Sequence, residues 1–125
     1  MKSIVLVVED NERNRKLVRT ILEFRGYDVV ECDDGEPSLE LARRHKPVLV
    51  LMDIQLPKVN GVEALKRLRA DPETRAIPVI AVTASVTPSE RERVVSAGFN
   101  GYISKPIDVM TFGPMIDKAM GKEVA

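Results

Sequence analysis

A short apolar run that ends in a carboxylate constrains the fold of this chain more than any other feature. Residues 48–53 read Val-Leu-Val-Leu-Met-Asp, with Pro47 before them and Pro57 soon after. A run this short and this rich in Val and Leu predicts a strand buried on both faces, as in a parallel sheet covered by helices. Asp53 then lies where the strand leaves the core, and in open α/β sheets ligands bind just beyond the carboxyl ends of the strands.

Four further apolar segments predict the same architecture along the rest of the chain. Strands are predicted at 3–8, 27–32, 78–82 and 101–104, and helices at 12–25, 37–45, 62–70, 88–97 and 109–119. This alternation is typical of βαβ units and a parallel sheet, with right-handed crossovers that place helices on both faces. Because the elements account for almost all 125 residues, we expect one domain over residues 1–125 without an attached output domain.

Composition narrows the possible partners and the cellular location. Lys and Arg together number 19, as do Asp and Glu, so bulk charge does not support binding to nucleic acid or to a membrane surface. The single cysteine, Cys32, excludes an internal disulfide and is expected to pack as a small apolar residue. No apolar stretch is long enough to cross a bilayer. We therefore expect a cytoplasmic protein with no nucleic-acid or membrane partner.

Polar side chains follow four of the five predicted strands. The first strand is followed by Glu9 and Asp10, the third ends in Asp53, and the fourth and fifth are followed by Thr83 and Lys105. Three carboxylates brought to one edge of the sheet repel one another unless they gain a proton or a cation, and Mg²⁺ is the natural partner because it prefers oxygen ligands. The lysine and the hydroxyl favour an anion. A site that takes both suits phosphoryl transfer, with Asp53 as the nucleophile that forms an acyl phosphate.

These motifs resemble the receiver domain of bacterial two-component response regulators. The resemblance covers essentially all 125 residues and rests on Val7-Val8-Glu9-Asp10-Asn11, Leu51-Met52-Asp53-Ile54-Gln55-Leu56-Pro57 with Asn60-Gly61, Val82-Thr83-Ala84, and Lys105-Pro106. It implies the CheY-like, flavodoxin-like fold: a doubly wound, five-stranded parallel sheet of order 2-1-3-4-5 with helices on both faces. That order comes from the resemblance and not from the residue pattern.

The resemblance also implies how the acidic residues act. Asp53 would be the phosphoacceptor. Asp10 and Asp53 would bind Mg²⁺ directly together with the backbone carbonyl of Gln55, while Glu9 would act mostly through water. Gln55 and Ser85 flank the site and would tune the rate at which the acyl phosphate hydrolyses.

The remaining motif residues would contact or sense the phosphoryl group. Lys105 and the Thr83 hydroxyl would pair with it, and the backbone N–H of Ala84 would donate to its oxygens. The peptide bond between Lys105 and Pro106 would be cis. Tyr102 matches the aromatic switch position, whose side chain turns inward as Thr83 moves.

The implied partners are proteins. A histidine kinase or a histidine phosphotransfer protein would donate the phosphoryl group, and a downstream protein would bind the face formed by the fourth helix, fifth strand and fifth helix. Such a chain is a phosphoacceptor switch that catalyses only its own phosphorylation and dephosphorylation, acting as a diffusible regulator or a phosphorelay shuttle. Residues 53–57 and 102–107 are also similar to DivK-type cell-division regulators, although receivers attached to hybrid kinases share much of the pattern.

The chain departs from the family pattern at two places. Asn60 stands where Asp is common before Gly61. Gly113 and Pro114 fall inside the last predicted helix, so we expect this helix either to start late, near Thr111, or to be kinked. The partner-binding face would then be unusual.

Other functions fit the sequence less well. An aspartyl phosphatase usually needs a second Asp two residues after the nucleophile, where this chain has Gln55. A flavodoxin-like carrier needs a Gly/Ser/Thr-rich phosphate loop after the first strand, where Glu9 and Asp10 would repel phosphate. A binding module of receiver fold that signals without phosphorylation stays open.

Overall fold

Five short apolar strands form one parallel sheet. The computed structural model describes residues 3–84 and 87–120. The strands are β1 (Ile4–Val8), β2 (Asp28–Cys32), β3 (Leu49–Asp53), β4 (Val79–Thr83) and β5 (Gly101–Ser104). The helices are α1 (Glu12–Phe24), α2 (Ser38–His45), α3 (Gly61–Ala70), α4 (Pro88–Ala97) and α5 (Val109–Ala119). The sheet order is β2-β1-β3-β4-β5 with every pair parallel, which confirms the predicted fold class and strand order.

The sheet separates two apolar cores. Successive side chains of a strand point to opposite faces, so each inner strand supplies both cores. On one face, α1 and α5 pack Leu22 and Phe112 against the strands; on the other, α3 contributes Leu65 and Leu68. Every residue of β3 and β4 is buried, as the apolar run at 48–53 predicted for β3. The carboxyl ends of these two strands are therefore anchored in well-packed core.

Side-chain caps of the same kind mark the starts of α1, α3 and α4. In each case a side-chain oxygen accepts a hydrogen bond from the backbone N–H three residues further on; the capping residues are Asn11, Asn60 and Thr87. Asn and Asp are both strongly preferred at this position. The departure from the family pattern at Asn60 thus keeps a capping residue at the start of α3.

Of the two alternatives expected for α5, the late start near Thr111 is wrong; a kink at Pro114 stays a prediction. The helix begins at Val109 because the Asp108 side chain caps it, accepting a hydrogen bond from the Met110 N–H at 2.9 Å. Pro114 lies inside the helix and removes one backbone donor, the one that would bond four residues back. The cap and the buried apolar face compensate for this single lost bond.

Gly113, the residue before Pro114, lies against the side chain of Arg25. A Cβ atom at this position would overlap the guanidinium of Arg25. Arg25 crosses α5 here to form an ion pair with Asp117, which also accepts a hydrogen bond from the Tyr27 hydroxyl at 3.2 Å. Glycine at 113 therefore leaves room for Arg25, the residue that follows α1, to reach Asp117 on α5.

None of the helices in residues 3–84 and 87–120 combines the length and the hydropathy that a membrane span requires.

Candidate functional site

The ends of β1, β3 and β5 bring three of the predicted side chains into contact. Lys105 Nζ lies 2.9 Å from Asp53 Oδ2 and 2.9 Å from Glu9 Oε1. Both carboxylates are buried, with 4% of each residue exposed. The ammonium thus lies between two carboxylates delivered by different strands, as their positions after apolar runs predicted.

Backbone N–H groups orient the same two carboxylates. The second oxygen of Asp53, Oδ1, accepts a hydrogen bond from the Gln55 N–H at 3.0 Å, and Glu9 Oε2 accepts one from the Asn11 N–H at 3.1 Å. Each carboxylate therefore uses one oxygen for Lys105 and the other for the loop that follows its own strand. This arrangement holds both side chains in one orientation before any ligand arrives.

Asp10 completes an acidic cluster that is open to solvent. One carboxylate oxygen from each of Glu9, Asp10 and Asp53 lies within 4.8 Å of the others, and Asp10 is exposed. Three carboxylates face the single ammonium of Lys105, so a divalent cation would balance the remaining charge. Hard oxygen donors with an open side for water are what Mg²⁺ prefers. The residues present fit the predicted metal. We call Glu9, Asp10, Asp53 and Lys105 the Asp53 site.

Packing these charged groups together shifts the pKa values of Glu9 and Lys105. The pKa of Glu9 is raised to about 7: burial is the largest cause and the neighbouring Asp53 adds to it, while Lys105 and the Asn11 N–H oppose the rise. Burial alone would lower the pKa of Lys105, but its contacts with Asp53 and Glu9 outweigh burial and raise that pKa. Lys105 therefore stays an ammonium, and a proton on Glu9 relieves repulsion that a bound cation would otherwise relieve.

Thr83 lies at the same edge of the sheet. It is buried at the end of β4, and its carbonyl accepts a hydrogen bond from the Lys105 N–H at 2.8 Å. The Lys105–Pro106 peptide bond is cis, as the resemblance implied. Ala84 follows Thr83 and is exposed, whereas Ser85 lies outside the described residues. The structure thus places Thr83 and Lys105 side by side, and the predicted roles of Thr83 and Ala84 toward a phosphoryl group stay predictions.

Tyr102 lies on β5, which β4 separates from β3 and Asp53. It is half-buried on β5, and the guanidinium carbon of Arg91 on α4 lies 5.0 Å from the centre of its ring. This distance is typical of a cation–π contact. The contact joins α4 to β5 at the position predicted for the aromatic switch.

Asp34, just after β2, also restrains the site, although its local sequence does not identify it as a functional residue. The buried carboxylate of Asp34 accepts hydrogen bonds from the backbone N–H groups of Lys58 at 2.9 Å, Val59 at 3.2 Å and Glu36 at 3.1 Å. It thereby ties the loop after β2 to residues 54–60, the loop between β3 and α3. An Asp after a strand signals a turn, but no local pattern reveals partners more than 20 residues away.

The other end of the 54–60 loop is closed by Gly61. Its N–H donates to the Ile54 carbonyl at 2.9 Å. A Cβ atom on Gly61 would overlap the Asp53 carbonyl, so only glycine permits this close approach. The loop that contains Gln55 is therefore held at its start, its middle and its end.

Comparison with known proteins agrees with this geometry. A family model described as the response regulator receiver domain matches residues 5–116. The polar-differentiation response regulator DivK of Brucella anthropi is 48% identical over 121 residues, which cover 97% of this chain and 98% of that protein. DivK of Brucella ovis matches with the same identity and coverage. The predicted similarity to receivers and to DivK-type regulators is confirmed.

Solved structures share the fold. The receiver domain of the sensor histidine kinase PA1611 of Pseudomonas aeruginosa, with a magnesium ion coordinated in its active site cleft, has a TM-score of 0.88 and 31% identity. The alignment covers 98% of this chain and 100% of that one. The chemotaxis protein CheY4 of Vibrio cholerae has a TM-score of 0.88 at 24% identity, covering 95% and 99% of the two chains, and supports the fold alone. The strand order and the extent of these matches show that the chain belongs to the response regulator receiver domain family of two-component signalling.

Proposed function

We propose that this chain is a stand-alone response regulator that accepts a phosphoryl group on Asp53 in a Mg²⁺-dependent reaction and then changes its partner-binding surface. The observation that carries the proposal is the setting of Asp53. Its carboxylate ends the central strand, contacts Lys105 at 2.9 Å and is oriented by the Gln55 N–H at 3.0 Å. A buried, fixed carboxylate beside an ammonium is a nucleophile placed next to a charge that stabilises an incoming phosphoryl group.

The donor would be a phosphohistidine on a histidine kinase or a histidine phosphotransfer protein. A carboxylate oxygen of Asp53 attacks the phosphorus, the N–P bond of the donor breaks, and its electron pair returns to the imidazole as an O–P bond forms. Lys105 offsets the negative charge that develops on the phosphoryl oxygens. The Thr83 hydroxyl and the Ala84 N–H donate hydrogen bonds to the same oxygens.

Asp10, Asp53 and the Gln55 carbonyl would hold Mg²⁺, with Glu9 acting mostly through water. When bound, Mg²⁺ neutralises charge on the phosphoryl oxygens and thus favours transfer. Two observations support this assignment: the acidic cluster has one open side, and the related PA1611 receiver domain holds magnesium in its active site cleft. Gln55 and Ser85 tune the later hydrolysis of the acyl phosphate.

The output would be a change in the face formed by α4, β5 and α5. The Thr83 hydroxyl is drawn toward the phosphoryl group, and Tyr102 turns inward into the space that this movement leaves. Val95 and Met115 are exposed on α4 and α5, 59% and 40% respectively, and offer apolar contacts to a downstream protein. A surface cleft of about 300 Å³ lies beside Tyr102 and Met115.

The relatives support the proposed cellular setting. The match to DivK covers 98% of that protein, which supports action as a single receiver domain, either as a diffusible switch or as a phosphorelay shuttle. A phosphohistidine donor of two-component signalling acts in the cytoplasm, and we place the chain there.

Intact-mass spectrometry after incubation with acetyl phosphate and Mg²⁺ tests the acceptor assignment. We expect the wild type to gain one phosphoryl group and to lose the gain when EDTA is present. Asp53→Asn should gain nothing, and Asp33→Asn, a change at an exposed carboxylate after β2, should behave like the wild type.

Two outcomes would contradict the proposal. A gain that persists in Asp53→Asn would move the acceptor to another residue. No gain in the wild type, either from acetyl phosphate or from a panel of phosphorylated histidine phosphotransfer proteins, would favour the receiver-fold binding module that acts without phosphorylation.

A further inference from the structure

Arg15 contacts the backbone that carries the two N-terminal acids of the Asp53 site. Its Nη1 donates to the Glu9 carbonyl at 3.0 Å and makes a longer contact of 3.5 Å with the Asp10 carbonyl. Side chains in a helix point back toward its N-terminus, which is why Arg15, the fourth residue of α1, reaches the segment before the helix. One guanidinium therefore spans the carbonyls of two adjacent proposed metal-site residues.

The other edge of this guanidinium faces β2. Arg15 Nε lies 4.0 Å from Glu31 Oε1, and Arg19 holds the second oxygen of Glu31 at 2.7 Å. The Arg15 side chain is only 23% exposed. Its position is thus limited on two sides, by the end of β1 and by a carboxylate on the neighbouring strand.

The hydrogen bonds of Arg15 leave the carboxylate oxygens of the site available to a cation. Lys105 bonds carboxylate oxygens directly, whereas the hydrogen bonds of Arg15 at the site go to main-chain carbonyls. A guanidinium bonded to the Glu9 or Asp10 carboxylate would compete with a cation for its ligands. Bonded to the backbone, it can orient both residues and leave their carboxylate oxygens to other partners.

We propose that Arg15 is a positioning residue for the metal site, holding the Glu9–Asp10 backbone so that both carboxylates face Asp53. This inference rests on the proposed function, since it assigns Arg15 a part in building the Mg²⁺ site. Groups that orient metal ligands typically account for 10- to 100-fold in affinity when they are removed. The direction of the change in Mg²⁺ affinity distinguishes this role from a simple effect of charge. Loss of a nearby positive charge would strengthen cation binding, whereas loss of orientation weakens it.

The test measures Mg²⁺ affinity by isothermal titration calorimetry on the whole chain. We expect Arg15→Ala to weaken Mg²⁺ binding about tenfold. Arg15→Lys keeps the charge without the planar fork and should recover only part of the loss. Arg19→Ala is the matched control, because it removes a cation that shares the Glu31 partner but has no bond to the end of β1; we expect its affinity to stay within about twofold of wild type.

A second measurement does not need the metal. In metal-free protein, Arg15→Ala should speed amide hydrogen exchange at Glu9 and Asn11 about tenfold relative to α3, and Arg19→Ala should not. Unchanged or tighter Mg²⁺ binding in Arg15→Ala, or a loss of unfolding free energy with unchanged affinity, would overturn the inference. A wild type that binds no Mg²⁺ would instead overturn the proposed metal dependence, and the exchange experiment would still decide whether Arg15 holds the end of β1.

Discussion

The two sides of the Asp53 site are held in different ways. On the side of β2 and β3, the buried Asp34 carboxylate bonds the backbone at three residues, and Gly61 closes the 54–60 loop. On the side of β4 and β5, α4 buries one of its ten residues, Val94, and Tyr102 is half-buried beneath an exposed arginine.

This difference separates positioning from switching within one small domain. Groups that must meet a phosphoryl group in fixed geometry gain from hydrogen bonds that are already formed. An element that must change its surface gains from few buried contacts, because a small free energy then shifts its population. The clamped side suits the acceptor chemistry that we propose, and the lightly packed side suits the proposed output.

Loss of the Asp34 clamp should have the largest effect. Asp34→Ala leaves backbone N–H groups without their acceptor, and we expect the free energy of unfolding to fall by about 3 kcal/mol. Asp33→Ala, at the exposed neighbouring carboxylate, should change it by less than about 0.5 kcal/mol. Urea denaturation of both variants gives the comparison. Equal stabilities for the two variants would show that the 54–60 loop is held by other contacts.

The packing difference between α3 and α4 should appear in amide hydrogen exchange. α3 buries four residues, Gly61, Ala64, Leu65 and Leu68, against one in α4. We expect interior amides of α4 to exchange at least about tenfold faster than those of α3, which corresponds to about 1.4 kcal/mol in local opening. Equal protection would remove the basis for assigning the switch to the β4–β5 side.

Acid should weaken the clamped side through Asp34. Burial raises the pKa of Asp34, but hydrogen bonds from Lys58, Glu36 and Val59 outweigh burial and hold that pKa below its ordinary value of 3.8. Because the folded-state pKa is the lower one, this contribution is present above pH 3.8 and is lost as the pH falls through the folded-state pKa.

Asp34→Asn tests this pH dependence because asparagine cannot ionise. At neutral pH the variant should be less stable than wild type by about 1 kcal/mol, the part of the clamp that depends on charge. The difference should shrink as the pH falls below 3.8, where the wild type gains its own proton. Denaturant titrations across this range measure it, and a stability gap independent of pH would contradict the assignment.

Removal of the Arg91 side chain should have the smallest effect. Its cation–π contact with Tyr102 is near the surface, so Arg91→Ala should lower the free energy of unfolding by about 0.5 kcal/mol. Changes in the NMR signals of the Tyr102 ring would report the loss of the contact. Arg93→Ala, an exposed arginine on the same helix, is the control. Identical ring signals in the two variants would mean that Arg91 does not restrain Tyr102.

Much of the fold and part of the site could be predicted from local sequence patterns. The run at 48–53 identified the central strand, and the alternation of apolar segments identified the other strands and the helices between them. Lys105 and Asp53 were expected to meet because parallel strands end at a common edge of the sheet. Capping, burial and alternation act over a few residues, so their signals are present in short stretches of sequence.

The apolar spacing predicted α5 over residues 109–119, and only the alternative of a late start near Thr111 was wrong. The sequence pattern gave weight to the donor that Pro114 removes, but the Asp108 cap and the burial of Phe112 and Ile116 keep the first turn helical. The Arg25–Asp117 ion pair beside Gly113 is likewise a contact between residues far apart in the chain, which no local pattern reveals.

The sequence by itself determined the parallel α/β fold and the carboxylates, hydroxyl and lysine that follow its strands. Only the tertiary structure decided which groups restrain them. The Asp34 side chain accepts hydrogen bonds from the 54–60 loop, and Arg15 donates to the carbonyl of Glu9. The tertiary structure also brings Asp53 close enough to Glu9 to raise the pKa of Glu9. The physical reason is range. Strand burial and helix capping depend on neighbours in sequence, whereas a clamp or a pKa shift depends on a partner brought within about 3 Å by the fold.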